Sequence, residues 1–183
     1  MIRDVPVKAL RRKMLAEAGV MLALAFVLEY ITMFLPKLPQ GGKFVSLGMV
    51  PLIIFSIRWG GRAGMLAGAA FGLLYYQLDP FFIHPVQFIL DYPLAFSMAG
   101  VAGFVVRKDS HRSMQAGIIL TMALRFICHL MSGVIFFKAF MPGNIQNPWI
   151  YSAVYNGMFI VPTAIVCCFI VPYINRRFEM KAG

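Results

Sequence analysis

Residues Met14–Leu35 read MLAEAGVMLALAFVLEYITMFL. Apart from Glu17 and Glu29 the run is mostly apolar or small, and a helix that crosses a bilayer needs about 20 such residues. Arg3, Lys8, Arg11, Arg12 and Lys13 stand before it. A secretory signal also opens with a basic head, but its apolar region is only about 7–15 residues long and ends in a small-residue cleavage site. Met14–Leu35 is too long and lacks that site. It is expected to form a first spanning helix, over about 14–34.

The rest of the chain repeats this pattern. Of its 183 residues 60% are hydrophobic, and the mean hydropathy is +0.76. Soluble domains hold roughly 45–50% apolar residues, so much of this apolar surface is expected to face lipid. Further helices are expected over 45–58, 62–78, 82–106, 113–138 and 149–173. Pro36, Pro39, Gly41, Gly42, Gly60–Gly61, Asp79–Pro80 and Pro142–Gly143 punctuate them. The fold class is all-α: one domain, residues 1–183, of six transmembrane helices. Helix 2 is short for a full span and is expected to be tilted or irregular.

The net charge of +10 would suggest nucleic acid in a soluble protein. Here the basic residues cluster at helix ends and read as topology signals, so no nucleic-acid partner is expected. With both termini cytoplasmic, the inside segments carry Arg3, Lys8, Arg11, Arg12, Lys13, Arg58, Arg62, Arg107, Lys108, Arg112, Arg176, Arg177 and Lys181. The outside loops carry only Lys37, Lys43 and Lys138, and Arg125 is left inside the membrane. A miscounted span would scramble this asymmetry. Cys128, Cys167 and Cys168 lie in apolar stretches without metal-ligand or redox spacing and are read as packing residues.

Ionisable side chains within spans are costly and mark function by default. Glu29, Asp91, Arg125 and His129 are the candidates, with Gln87 and Asn156 as neutral companions. At about 1.5 Å per residue, Asp91, His129 and Asn156 lie roughly 15, 14 and 10 Å below the outer surface. Three helices thus place polar groups at one level. Arg125, His129 and Gly133 share one stripe of helix 5 by their i, i+4, i+8 spacing. Gln87 and Asp91 share a stripe of helix 4, and Tyr92 is adjacent. Helix 6 adds Tyr151, Tyr155 and Asn156, with Trp149 at its mouth. Aromatic rings, a carboxylate and an imidazole suit a flat, cationic, hydrogen-bonding ligand. The alternative is an ion pair between Asp91 and Arg125 that only ties helices 4 and 5 together.

Gly41-Gly42-Lys43 lacks the spacing of a phosphate-binding loop, so uphill transport would need a partner or an ion gradient. His129 and Ser132 stand i, i+3 and could mimic a base–nucleophile pair, but no carboxylate on that helix orients the imidazole. A channel is disfavoured because charged rings and filter-like carbonyl loops are missing. Gly19 and Ala23 form a small-xxx-small pair on helix 1 that permits close approach, within the chain or to a partner. The 36–46 loop is rich in backbone freedom and is a lid or a connector.

Several segments resemble, in order and at near-constant spacing, the thiamin-specific substrate-binding components of energy-coupling-factor vitamin importers. They are Leu38-Pro39-Gln40-Gly41-Gly42, Phe55-Ser56-Ile57-Arg58-Trp59-Gly60, and His84-Pro85-Val86-Gln87 running to Asp91-Tyr92. Then come Leu124-Arg125-Phe126 with His129, Ser132-Gly133 and Phe136-Phe137, and finally Trp149-Ile150-Tyr151-Ser152 with Tyr155-Asn156. The resemblance implies the six-helix fold of those components, no catalysis and no cofactor, with thiamin as the transported ligand. It implies a membrane-embedded coupling protein and two cytoplasmic ATPases as partners, with Gly19 and Ala23 on the coupling surface. It also implies that Asp91, His129, Tyr151 and Asn156 make polar contacts to thiamin, and that Tyr92, Arg125, Gly133 and Phe137 line the pocket. Asp91, Arg125, Phe137 and Gly42 stand where some members carry Glu, Lys, Trp and Trp.

Overall fold

Six helices run through the described part of the chain: α1 Val7–Thr32, α2 Met49–Trp59, α3 Gly61–Leu78, α4 Pro85–Val105, α5 His111–Phe136 and α6 Pro148–Ala182. The computed structural model describes residues 7–36, 38, 43–107, 110–143 and 145–182, with side chains to residue 177. Pro39 to Gly42 lie outside the described residues, as do Arg3, Lys37 and Lys108 and the side chain of Lys181.

Helices α1, α4, α5 and α6 are long and apolar enough to cross a membrane. They expose large apolar side chains that water would not tolerate in such number, among them Val20, Leu24, Phe104, Ile119 and Phe169. The molecule is a helical membrane protein. Two ends differ most from the sequence expectation. Helix α1 begins at Val7, before the apolar run, and α6 continues past residue 173 to Ala182. Apolarity marks where lipid contact stops, but Lys, Arg, Ala, Leu, Glu and Met continue a helix well without it.

Helix α2 has only 11 residues. Its residues from Met49 through Ser56 are all buried, because α1, α3, α4 and α6 surround it. A helix apolar on every side belongs inside. Its shortness is thus explained by a place in the core rather than by an irregular span.

Between α2 and α3 the backbone reverses at Gly60, whose φ of 89° favours glycine. Helix α3 then presents Gly64, Gly68 and Gly72 to α4 at i, i+4, i+8. A Cβ on Gly68 would meet the Phe96 carbonyl, and one on Gly72 would meet the Tyr92 carbonyl and lie 2.7 Å from Pro93 Cα. Backbone cannot yield as a side-chain tip can. Gly72→Ala is therefore expected to cost about 1–3 kcal/mol by overpacking, seen as a lower thermal midpoint in detergent. Gly19→Ala is the comparison: a Cβ there meets nothing within 4 Å, and the midpoint should barely move.

Helix α4 is not regular. His84 caps it by accepting from the Val86 N–H (3.1 Å), and Pro85 follows at the first helical position. From Leu90 to Leu94 it winds as a π-helix containing Pro93. Proline cannot donate to the ladder, and such bulges concentrate at functional sites. The bulge carries Asp91 and Tyr92.

Candidate functional site

The ends of α3, α4, α5 and α6 away from Arg58, Arg62, Arg107 and Arg112 enclose a cavity of about 250 Å³. That is close to the low end of the roughly 300–1,000 Å³ usual for small-molecule pockets. Asp91, Tyr92, Arg125, His129, Gly133, Phe137, Tyr151 and Asn156, singled out from the sequence, all line it.

Asp91 sits at the centre of the polar wall. Its Oδ2 accepts from Gln87 Nε2 (2.8 Å) on its own helix and from Ser132 Oγ (2.7 Å) on α5. Its Oδ1 accepts from His129 Nδ1–H (3.0 Å). The carboxylate can only accept, so it fixes the proton on Nδ1 and leaves Nε2 as an acceptor. That Nε2 is buried and has no partner. A protonated ring would bury an unmatched N–H there, so the neutral form fits. Asn156 on α6 donates through Nδ2 to the carbonyls of His129 (3.3 Å) and Ser152 (2.9 Å). Its amide orientation follows from those two acceptors and leaves Oδ1 to accept. Three helices therefore supply acceptors to one cavity.

The sequence left open an Asp91–Arg125 ion pair, and the structure does not make it. Asp91 accepts a hydrogen bond from His129 instead. Arg125 is buried, donates to Ser46 Oγ (3.3 Å) and lies over the Phe96 ring (4.4 Å). The orienting carboxylate missing from helix 5 comes from α4. Ser132 donates to Asp91 rather than to the imidazole, so the i, i+3 pair of His129 and Ser132 is not a base–nucleophile pair.

Lys43, which the sequence assigns to an outside loop as a topology signal, has a structural role as well. It is buried, paired with Glu29 (3.2 Å) and set over the Tyr75 ring (4.5 Å). Glu29 also accepts from Thr32 Oγ1 (3.3 Å), Gly48 N (3.0 Å) and Ser46 Oγ. Lys43 and Ser46 line the cavity, so the end of the first loop forms part of its wall.

Flat walls complete the site. Phe81 stacks on Phe137 (5.5 Å between centroids) and Tyr151 on Tyr155 (6.1 Å), while Phe159 meets His129 edge-on (5.2 Å). Tyr92 contributes its ring alone, because its hydroxyl donates to the Asp79 carbonyl (2.7 Å) and accepts from Phe81 N (3.0 Å). Gly133 lets α6 come close: a Cβ there would strike Ser152 Oγ and lie 2.9 Å from its Cβ. Gly19 and Ala23 lie elsewhere, exposed on α1.

Sequence reasoning missed Lys43, Ser46, Tyr75, Asp79, Phe96 and Phe159 as lining residues. Asp79 was read only as punctuation with Pro80. An acidic residue closing an apolar helix was the available signal.

The family model described as "Thiamine transporter protein (Thia_YuaJ)" matches residues 15–181. The chain is 34% identical over 169 residues to the thiamine transporter ThiT of Bacillus subtilis, covering 86% of this chain and 87% of that one. It is 28% identical over 188 residues to the ThiT of Lacticaseibacillus paracasei, covering 91% and 90%. The solved structure of ThiT from Listeria monocytogenes superposes with a TM-score of 0.79 at 26% identity, covering 91% of this chain and 95% of that chain.

Proposed function

This chain belongs to the thiamine transporter protein family, a transport family and not an enzyme family, and from that premise we propose that it is the substrate-binding subunit that captures thiamin from outside the cell. The observation that carries the proposal is the convergence of acceptors from α4, α5 and α6 on one aromatic-walled cavity. Thiamin offers an aminopyrimidine whose amine donates, and the remaining lone pair of Asp91, His129 Nε2 and Asn156 Oδ1 suit it. The paired rings suit its two flat heterocycles. Tyr151 adds a phenol beside Asn156, Gly133 lets α6 bring Asn156 to the cavity, and Arg125, Tyr92 and Phe137 add to the wall.

The 36–46 loop closes over the bound vitamin, since Lys43 and Ser46 already belong to the wall. Transport then requires a membrane coupling protein and two cytoplasmic ATPases. The exposed face of α1 supports that part: Gly19 and Ala23 leave a shallow strip where a partner helix can approach. The pocket faces outward and both termini lie in the cytoplasm, as the basic helix ends favour.

Titrating thiamin into the purified protein, read by tryptophan fluorescence, should give saturable binding at one site, with hydroxymethylpyrimidine competing weakly. Trp149 in the first turn of α6 provides the reporter. Absence of thiamin binding refutes the proposal, and tighter binding of the pyrimidine alone makes a precursor the ligand. Cells expressing this chain alone should bind thiamin without accumulating it. Accumulation without an ATPase partner would refute the partner half.

A further inference from the structure

Asp79 stands directly after α3, where the helix ends in unpaired carbonyls and a negative dipole end. Asp is a poor choice there on local grounds: the usual residue in the last turn is a cation or a neutral cap. A chain that breaks a local rule without a visible structural gain does so most often at a functional position.

No such gain is found for Asp79. Among the described residues no cation lies within ion-pair distance of its carboxylate. Among those residues its one side-chain bond is a long one, from Tyr75 Oη at 3.5 Å. The other charged groups at the cavity have close partners. Lys43 is held by Glu29, Arg125 donates to Ser46 Oγ and lies on Phe96, and Asp91 already accepts from Gln87, His129 and Ser132. With His129 neutral, Glu29, Asp79 and Asp91 face only Lys43 and Arg125 among the described residues. The surplus is a single negative charge, and Asp79 holds it on the cavity wall beside Phe81 and Tyr92.

We infer that Asp79 is a specificity-determining residue: its carboxylate, together with the end of α3, offsets the charge of a monocationic ring and selects it over a neutral ring of the same shape. This rests on the reading of the site as a thiamin pocket. Asp91 then organises the aminopyrimidine end, and Asp79 meets the thiazolium end.

The test compares thiamin with its neutral isostere in which the thiazolium is replaced by thiophene, on the wild-type protein and on Asp79→Asn and Asp79→Glu. The wild type should prefer thiamin. Asp79→Asn should weaken thiamin about tenfold or more, since a desolvated cation loses its counter-charge, while the neutral isostere changes by less than about threefold. Asp79→Glu keeps the charge and should keep most of the preference. Equal losses for both ligands, or an unchanged thiamin affinity in Asp79→Asn, would overturn the inference. A wild type that binds both ligands alike overturns it without any variant. A wild type that binds neither points instead to failure of the thiamin assignment itself.

Discussion

Asp91→Ala lowers thiamin affinity by about 30-fold or more in titrations of the purified protein, because truncating one member of a buried charged network costs about 2–5 kcal/mol. The loss has three sources. The direct acceptor for the ligand disappears. Gln87 Nε2 and Ser132 Oγ lose the oxygen they share. His129 loses the group that holds its proton on Nδ1, so Nε2 is no longer assured as an acceptor. Asp91→Asn keeps the shape but presents an amide N–H₂ to donors, and should recover little. A thermal midpoint taken without thiamin separates loss of binding from loss of fold. Unchanged affinity in the Ala variant would remove Asp91 from the site.

Glu29→Ala has the largest expected effect on stability. Glu29 is fully buried and accepts from Thr32, Lys43, Ser46 and Gly48. Its removal strands the cation of Lys43 in the interior. Breaking a buried pair by removing one partner costs about 3–5 kcal/mol, since the remaining charge stays desolvated. The thermal midpoint in detergent should fall steeply. Adding Lys43→Met removes one stranded charge and should restore part of the loss. A single variant as stable as the wild type would mean that Lys43 escapes to water at no cost.

These two residues were unequally legible in the sequence. Both stand out as acids in apolar helices. Asp91 could be placed beside His129 and Asn156 because depth along a spanning helix follows from residue count. Glu29 could not be given a partner, since Lys43 lies on a loop and a loop's path is not fixed by periodicity. Arg125 shows the same limit: spacing put it on the stripe of His129, but whether it met Asp91 or Phe96 depended on how α2 and its leading loop fill the centre. The glycine seam of α3 was legible in principle, as Gly64, Gly68 and Gly72 repeat every four residues. Only the similar pair on α1 was read that way, and there the small residues face outward instead of inward. The irregular path of α4 was hinted at by Pro93, but a proline signals only that a ladder bond is missing, not that an extra residue is wound in.

That wound-in residue sets an angular phase. Successive positions of an α-helix differ by about 100°, so a chain one residue shorter between Leu90 and Leu94 would wind without interruption and swing everything before it around the axis. Phe96, Ala99 and Ala102 would still pack into the core, while Gln87 and the His84 cap would rotate away from the cavity. The extra residue lets one half of the helix serve packing while the other half addresses the ligand.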